Sequence, residues 1–538
     1  MSPEDKAHRP DGASDLTRLS SEASVPSQGR FAGEGASEGG LGSLVSISDH
    51  VRDKLFIGGE WVDPIDGELV ESIDPTSGEP WATVAFGGAK DIDRAVAAAR
   101  AAMRGPWARL PVWERAALLR KLAEAYARRA ENLAIIETRD NGRPIRDTRP
   151  DFAMQPQTWW WYAALADKLG GSTIPMDPSM HVFTTRKPIG VVGAITAWNA
   201  PMFLANLKLA PALAAGCAVV LKPAESTPVG AFELAAMAEE VGFPSGVINV
   251  VPAFGAVGGA HLVAHGDVDK ISFTGSTATA KRLLALGAPT LKRFTFELGG
   301  KAPHIIFDDA DLPNAINAAT SSAWVVCGQS CALGSRVLVQ RGIYKAVVDA
   351  FAERAASVRV GLPLDPGTHM GPQANAQQLD KTLSYFDIGR DEGARLVYGG
   401  KRLTDGDLRH GYFVTPTVFA DVNNEMRIAR EEIFGPVASI IPFDTEEEAI
   451  AIANDTSYGL TAGLWTRDLA RALRVADQIE SGSVWVNTYR YIRWSVPYGG
   501  MKQSGWGREG GLEGVDGYLE TKATAVRISG DFPNAYAT

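Results

Sequence analysis

The chain has 538 residues, of which 45% are hydrophobic and 22% are charged, and its formal net charge is -10. This length predicts more than one domain, and the acidic balance argues against nucleic acid as a partner. The three cysteines are too few for a disulfide framework and indicate a reducing compartment. Because the N-terminus lacks a secretory signal and no apolar run approaches about 20 residues, we expect no membrane partner and, by default, a cytoplasmic location.

The amino-acid composition of the chain changes near residue 48. Residues 1–47 are rich in Gly, Ser, Ala and Glu, a composition that predicts a disordered tail. The segment 55–62 is typical of a hairpin with a Gly-Gly turn. Helical periodicity covers 91–130, and a further helical stretch carries four adjacent aromatic residues at 159–162, most of which should be buried.

From residue 189 onward, short apolar segments alternate with helical ones. This alternation predicts α/β architecture with parallel sheets. The resumption of the pattern after Cys331 indicates two lobes that meet near residue 300. The strand candidates are 189–195, 218–223, 246–251, 270–273, 336–340, 438–442 and 483–487.

Cys331 and Glu297 are the residues best suited to covalent chemistry. Cys331 lies in a stretch of small, nearly uncharged residues, 328–336, that leaves a thiol accessible. A thiolate is needed for attack, so its surroundings must favour the anion. Glu297 precedes Gly299 and Gly300, and a carboxylate there could activate water against a thioester. The alternative for Glu297 is a salt-bridged structural residue.

The other two cysteines are weaker candidates. Cys217 lies in an apolar run and is expected to be a buried structural residue. Cys327 is spaced one helical turn before Cys331, and two roles remain open for it, a small packing residue or a resolving thiol.

Three segments that follow strand candidates contain residues suited to binding a nucleotide or to donating a hydrogen bond to an oxyanion. Gly275 and Ser276 stand between a strand and a helix, where backbone N–H groups can face a phosphate, although such a turn is often only a turn. Lys222 and Glu225 emerge at a strand end and could hold ribose hydroxyls or be solvated. The amide of Asn199 could stabilise an oxyanion or simply form a turn.

These segments together resemble the signature segments of the aldehyde dehydrogenase superfamily. The matched segments are 197–201, 222–225, 274–277, 296–301, 328–336, 431–436 and 497–505, in the family's order within about 56–522. The resemblance implies a Rossmann-like cofactor domain, an α/β catalytic domain and a small β oligomerisation element, in a homodimer or homotetramer. The expected boundaries are 48–170 with 187–299 for the NAD-binding domain, 300–516 for the catalytic domain, and 171–186 with 517–538 for the oligomerisation element.

The resemblance also implies roles for individual residues. Cys331 would be the nucleophile, Glu297 the hydrolytic base, and Asn199 with the Cys331 N–H the oxyanion donors. The implied cofactor-binding residues are Trp198, Lys222, Glu225, Gly275, Ser276, Glu432 and Phe434. Because a carboxylate at Glu225 would repel a 2′-phosphate, NAD is the favoured cofactor, and NADP is left open.

Substrate specificity is expected from the loop after Asn199 and the loop before Tyr498. The candidate substrate-lining residues are Ala200, Phe203, Leu204, Leu207, Ile492 and Tyr498. The side chains at 200 and 207 are smaller than the aromatic residues that short-chain members of the family often have there. In a mainly apolar funnel this favours a medium-sized, cyclic or aromatic aldehyde. Arg490 and Arg493 could bind a substrate carboxylate or be solvated or subunit-bridging.

The predicted reaction is oxidation of an aldehyde to its carboxylic acid with NAD, through a thiohemiacetal and a thioester on Cys331. One alternative is a coenzyme A-acylating semialdehyde dehydrogenase, against which Glu297 counts. Another is a non-catalytic binding protein on the same scaffold. None of the eight histidines has a metal-ligand spacing, so no metal is predicted.

Overall fold

A computed structural model describes residues 53–536, and the predicted tail at 1–47 lies outside the described residues. Most of the described strands belong to two large sheets. In chain order the strands are β1 (Leu55–Ile57), β2 (Glu60–Val62), β3 (Glu68–Asp74), β4 (Glu79–Phe86), β5 (Thr173–Ile174), β6 (Met180–Pro188), β7 (Val191–Ile195), β8 (Ala218–Lys222), β9 (Ile248–Val250), β10 (Lys270–Thr274), β11 (Arg293–Glu297), β12 (Pro303–Ile306), β13 (Arg336–Gln340), β14 (Arg395–Tyr398), β15 (Thr417–Ala420), β16 (Val437–Phe443), β17 (Tyr458–Gly459), β18 (Thr461–Trp465), β19 (Ser483–Val486), β20 (Met501–Lys502), β21 (Gly505–Trp506) and β22 (Leu519–Arg527).

Helices separate most of these strands along the chain. In order they are α1 (Ala89–Ala102), α2 (Pro106–Arg109), α3 (Val112–Asn141), α4 (Ile145–Leu165), α5 (Pro201–Ala215), α6 (Val229–Val241), α7 (Ala260–Ala264), α8 (Thr277–Gly287), α9 (Leu312–Trp324), α10 (Tyr344–Ser357), α11 (Ala376–Asp391), α12 (Arg427–Arg430), α13 (Glu446–Asn454), α14 (Leu469–Gln478) and α15 (Gly511–Asp516). Within residues 53–536, none of these helices is both long and apolar enough to span a bilayer.

The first sheet has the strand order β2-β1-β9-β8-β7-β10-β11-β21. Its five central strands are parallel, and they are β9, β8, β7, β10 and β11. Every residue of β7, β8 and β10 is buried, which explains why these segments are continuous apolar runs in the sequence. The strand order reverses between β7 and β10, and ligands of such sheets bind at the carboxyl ends of the strands at this switch point.

The second sheet has the order β14-β15-β16-β13-β12-β18-β19, and all of its pairs are parallel except β14 with β15. Its strand β12 begins at Pro303, six residues after β11 of the first sheet ends at Glu297. The predicted parallel α/β architecture is therefore confirmed, and the second sheet begins close to residue 300, where the change of lobe is predicted.

Three local predictions have different outcomes. The 55–62 hairpin is confirmed, with Gly58 and Gly59 in the turn at φ 68° and 83°, a region that suits glycine. The helical stretch 91–130 is broken into α1, α2 and α3, because Pro106 and Pro111 lack the N–H that a continuous helix needs. Among the aromatics of α4, Trp159 and Tyr162 are buried, while Trp160 is exposed.

A three-stranded antiparallel sheet joins distant parts of the chain. Its order is β22-β6-β5, and β22 pairs with β6 over nine residue pairs, from Leu519↔Pro188 to Arg527↔Met180. The domain boundaries given above remain a proposal. They are supported by the separation of the two large sheets, although β21, from the part assigned to the catalytic domain, completes the edge of the first sheet.

Candidate active site

Cys331 lies in an irregular segment between α9 and β13. The preceding residues Val326 and Cys327 have φ values of 55° and 56°, so the chain from Cys327 to Cys331 is not the helical turn that their spacing suggested. Cys331 is partly exposed, and its Sγ lies 3.7 Å from the hydroxyl of Tyr498. The thiol is therefore held at a cavity wall with a phenol beside it.

The surroundings of the Cys331 thiol disfavour its ionisation. Burial raises the pKa of Cys331 to about 12, and the nearby carboxylates of Glu432 and Glu297 raise it as well. The hydrogen bond with Tyr498 and the charge of Arg490 act in the opposite direction. A base or a bound positive charge is consequently needed before the sulfur can act as a nucleophile.

Glu297 is the last residue of β11, and its side chain is buried. Neither carboxylate oxygen has a hydrogen-bond partner within residues 53–536. Burial, followed by the charge of Glu509, raises the pKa of Glu297 well above its ordinary value, and Lys208 and Arg508 oppose the rise. Such a carboxyl group can exchange protons at a higher pH than a solvated glutamate.

A buried ion pair that sequence reasoning missed lies close to this carboxyl group. Lys208 Nζ donates to Glu509 Oε1 at 2.5 Å, and the two side chains are 0% and 3% exposed. The signal was present in the sequence, because a lysine inside the apolar run of α5 needs a carboxylate partner elsewhere in the chain.

Asn199 follows β7 and reaches toward the cysteine segment. Its side-chain Nδ2 donates to the carbonyl of Gln329, two residues before Cys331, at 2.9 Å. The backbone carbonyl of Asn199 accepts a hydrogen bond from Asn141 Nδ2 at 3.2 Å. These contacts hold Asn199 in the cavity that Cys331 also lines, a position suited to an oxyanion donor.

A continuous groove runs from Cys331 along the carboxyl ends of the first sheet. The part at the cysteine has a volume of about 460 Å³ and is lined by Cys331, Glu297, Asn199, Leu204, Glu432 and Phe434, among others. A second part of about 820 Å³ is lined by Lys222, Glu225 and Tyr412, among others. The two parts share Ala197, Trp198, Thr274, Gly275, Ser276, Asn375 and Gln377.

The groove meets the N-terminus of α8. Ser276 caps this helix by accepting a hydrogen bond from the Thr279 N–H at 3.1 Å. Gly275 and Ser276 thus line the groove at the positive end of the helix dipole. This position suits a phosphate group.

Lys222 and Glu225 stand at the far end of the groove. Lys222 Nζ donates to the carbonyl of Pro223 at 2.8 Å, and burial lowers the pKa of Lys222 to about 8. The exposed Glu225 accepts from the Gly255 N–H at 2.5 Å. A lysine and a carboxylate are therefore available together for hydroxyl groups.

Glu432 and Phe434 line the part of the groove nearest Cys331. Glu432 Oε1 accepts from the Gly300 N–H at 3.0 Å, and burial raises the pKa of this carboxyl group. The ring of Phe434 meets that of Trp198 edge-on, with centroids 5.1 Å apart and planes at 84°. The structure thus brings together all ten predicted catalytic and cofactor-binding residues along one groove.

The predicted substrate-lining residues are more dispersed. Leu204 lines the cavity that contains Cys331, and Tyr498 contacts the sulfur. Ile492 lines a separate cavity of about 210 Å³ together with Tyr498. Among the described residues, Ala200, Phe203 and Leu207 lie at the start of α5 or on it but are not part of either lining.

The two arginines of the second loop differ in their surroundings. Arg493 donates to the Ile492 carbonyl at 2.8 Å and lies over the ring of Tyr491. Arg490 has φ 55°, and its Nε is buried without a hydrogen-bond partner within residues 53–536. The charge of Arg490 lowers the pKa of Cys331.

The remaining cysteines are buried away from solvent. Cys217 Sγ contacts the carbonyl of Tyr518 at 3.4 Å, and burial raises the pKa of this thiol to about 11. Cys327 packs among apolar residues that include Trp324, and burial raises the pKa of its thiol to about 12. Within the described residues, no group of three or more His, Cys, Asp or Glu side chains could hold a metal ion.

Comparisons with known proteins agree on one family. The model of the aldehyde dehydrogenase family matches residues 61–524. An aldehyde dehydrogenase of Enchytraeus buchholzi is 46% identical over 495 residues, which cover 90% of this chain and 99% of the relative.

Solved structures are similar over the same range. An aldehyde dehydrogenase of Bacillus cereus in complex with NAD+ has a TM-score of 0.87 and 43% identity, covering 89% of this chain and 97% of the other. The betaine aldehyde dehydrogenase of Staphylococcus aureus in complex with NAD+ has a TM-score of 0.89 and 37% identity, covering 91% and 97%. With a family model matched over most of its length and a relative at 46% identity, the chain belongs to the aldehyde dehydrogenase family.

Proposed function

We propose that the protein oxidises an aldehyde to its carboxylic acid with NAD as the oxidant. The observation that carries this proposal is the presence of Cys331, Glu297 and Asn199 in one cavity, joined to a groove that ends at Lys222 and Glu225. A nucleophile, a base and an amide donor in one cavity are the groups that covalent oxidation of a carbonyl requires.

The chain's own residues perform most of the reaction. Once its proton has been removed, the Cys331 sulfur attacks the carbonyl carbon, and the amide of Asn199, which lines the same cavity, donates a hydrogen bond to the developing oxyanion. Bound NAD supplies the hydride acceptor. Glu297 then takes a proton from water, the hydroxide displaces the thiolate from the acyl carbon, and the acid leaves.

The groove fits a dinucleotide on structural grounds. Its two connected parts provide a helix N-terminus at Gly275 and Ser276, and Lys222 and Glu225 for a ribose. Glu225 would oppose the 2′-phosphate of NADP. The variant Glu225→Gln should therefore raise kcat/KM for NADP relative to NAD, whereas Glu240→Gln, at a surface pair with Arg128, should leave the ratio unchanged.

The substrate class that we propose is a medium-sized, cyclic or aromatic aldehyde. Support comes from the apolar Leu204 at the wall of the cavity that contains Cys331. A comparison of kcat/KM for acetaldehyde and for aldehydes of benzaldehyde size tests this, and a preference for acetaldehyde would contradict it.

Arg490 favours a second candidate, an aldehyde that carries a carboxylate. Its Nε is buried without a partner in the described part of the chain, and its charge reaches Cys331. A substrate carboxylate would supply the missing acceptor. If Arg490→Ala and Arg493→Ala leave kcat/KM for semialdehydes unchanged, this candidate is eliminated.

The main test is NADH formation by the wild-type protein and by Cys331→Ala across aliphatic, aromatic and acidic aldehydes. Turnover that depends on Cys331 and needs no coenzyme A supports the hydrolytic reaction. Formation of an acyl-coenzyme A product would favour the acylating alternative. Binding of NAD without turnover of any aldehyde would favour a non-catalytic role.

We further propose a homodimer or homotetramer in the cytoplasm. The outer edge of β22 has no partner strand within residues 53–536, and most of its residues are exposed. A long free edge strand is suited to pairing with a second copy. The cytoplasm is the default location, and the three unpaired cysteines fit a reducing compartment. Light scattering of the purified protein tests the assembly.

A further inference from the structure

Tyr498 presents its hydroxyl to the sulfur of Cys331. The Oη–Sγ distance is 3.7 Å, within reach of a hydrogen bond that involves sulfur. Sequence reasoning placed Tyr498 in the substrate funnel, but this contact gives the residue a direct relation to the reacting atom.

The position of Tyr498 is fixed by the backbone. Its N–H donates to the Glu509 carbonyl and its carbonyl accepts from the Glu509 N–H, both at 2.7 Å. Glu509 is in turn held by Lys208 in the buried ion pair. The backbone of Tyr498 is therefore anchored to a buried residue, although the preceding loop residues 495–497 are exposed.

We propose that Tyr498 donates a hydrogen bond to the Cys331 thiolate and thereby sets the fraction of the nucleophile that is ionised. The phenol keeps its proton, and the proton lost by the sulfur passes to solvent or to the carboxylate of Glu297. This inference rests on the proposed function only in taking Cys331 as the nucleophile.

Two nearby carboxylates disfavour the Cys331 thiolate, so a neutral hydrogen-bond donor beside the sulfur matters for its ionisation. Glu297 on β11 and Glu432 after α12 disfavour the thiolate, and Arg490 after β19 favours it. Burial holds the pKa of Tyr498 well above its ordinary value, so the phenol can donate without ionising. Loss of the hydroxyl should raise the pKa of Cys331 and reduce the thiolate population at every lower pH.

The test is alkylation of Cys331 by iodoacetamide in Tyr498→Phe, without aldehyde or cofactor, followed by mass measurement of the Cys331 peptide. A lost hydrogen bond to a charged group corresponds to a rise of about one pH unit in the thiol pKa. The higher nucleophilicity of a more basic thiolate offsets part of this, so we expect alkylation about three- to tenfold slower than in the wild type. Tyr398→Phe, on β14 at the edge of the second sheet, should react at the wild-type rate.

A bulkier reagent separates ionisation from access. In Tyr498→Phe the rate of alkylation by N-ethylmaleimide should fall by about the same factor as the rate with iodoacetamide, because both reagents react with the same thiolate population. If Tyr498 acted only through packing, its replacement would change the two alkylation rates by different factors, since the reagents differ in size. Tyr498→Leu, which lacks both ring and hydroxyl, must also react more slowly.

Alkylation of either Tyr498 variant at or above the wild-type rate would overturn the proposal, as would unequal factors for the two reagents. Because no aldehyde is present, this result is independent of whether the protein turns over any substrate. If the proposed function is wrong, no NADH forms with any aldehyde, but Tyr498→Phe still reacts more slowly than the wild type with both alkylating reagents.

Discussion

Lys208 and Glu509 form an ion pair that is closed off from solvent near the candidate base. Their 2.5 Å contact joins α5 to the segment before α15. Both charges act on the pKa of Glu297, which Glu509 raises and Lys208 lowers. The pair therefore links the packing of the chain to the protonation of the residue that would activate water.

Removing one partner of this pair should be strongly destabilising. In Glu509→Gln the Lys208 ammonium is left buried without a counter-charge, and we expect the free energy of unfolding to fall by about 3–5 kcal/mol. The double variant Lys208→Met with Glu509→Gln should recover much of that loss. Urea midpoints of the three proteins measure the effect.

An exposed ion pair provides the control. Glu131 pairs with Arg149, and their side chains are 59% and 46% exposed. Glu131→Gln should cost less than about 1 kcal/mol. Equal losses in Glu131→Gln and Glu509→Gln would show that the buried pair is unimportant for stability.

Glu297→Gln should separate the two halves of the proposed reaction. The first turnover does not need the hydrolytic base, so a burst of NADH equal to the concentration of sites is expected. The following steady rate should fall about a hundred- to ten-thousandfold. Because the pKa of Glu297 is raised, the wild-type hydrolysis rate should fall as pH drops through that raised value, and the variant should lose this dependence.

A strong nucleophile distinguishes slow hydrolysis from damage to the site. Hydroxylamine attacks a thioester without help from a base, so its addition should restore turnover in Glu297→Gln. A variant that shows neither burst nor recovery would place Glu297 in the earlier steps instead.

Gly499 leaves the space that the Glu297 carboxyl group occupies. A Cβ at this position would lie 2.8 Å from Glu297 Oε1 and 2.8 Å from the Gly507 carbonyl oxygen. Gly499→Ala should displace the carboxyl group and lower kcat about tenfold or more. The burst of NADH should remain, because Cys331 is not touched by the change.

The matched control for this substitution is Gly342→Ala. A Cβ on Gly342 meets no atom within 4 Å, so that variant should keep the wild-type kcat. If both variants turn over at the wild-type rate, the carboxyl group of Glu297 either tolerates displacement or is not the base.

The sequence predicted those features that depend on local pattern or on side-chain chemistry. The strands around β7, β8 and β10 were recognisable because each is buried throughout. Cys331 and Glu297 were recognisable because few side chains can act as a nucleophile or a base. These predictions needed no knowledge of which distant segments meet.

Contacts between distant segments could not be predicted in the same way. The hydroxyl of Tyr498 reaches Cys331 because the chain near 498 pairs with Glu509, a pairing without a local signal. The irregular backbone at Cys327 replaced an expected helical turn, and it is set by tertiary contacts such as the close approach of Gly328 to Pro436. Such features arise from packing rather than from periodicity.

His304 should make the stability of the protein depend on pH. It is fully buried on β12, with Nδ1 3.2 Å from Ser322 Oγ and its ring stacked on Tyr489 at 4.8 Å. Burial lowers the pKa of His304 to about 3 in the folded state, whereas in the unfolded chain it is about 6.5. Its neutral form therefore stabilises the fold above about pH 6.5, and that contribution is lost progressively as pH falls toward about 3.

The variant His304→Phe keeps a ring against Tyr489 but cannot titrate. Whatever the difference in stability at pH 7, the wild type should lose about 2 kcal/mol relative to the variant by about pH 5, because protons then bind the unfolded chain. Urea midpoints measured at several pH values give this difference. His410→Phe, at an exposed site, should follow the wild type. A difference between His304→Phe and the wild type that stays constant with pH would show that the ring of His304 can be protonated within the folded protein.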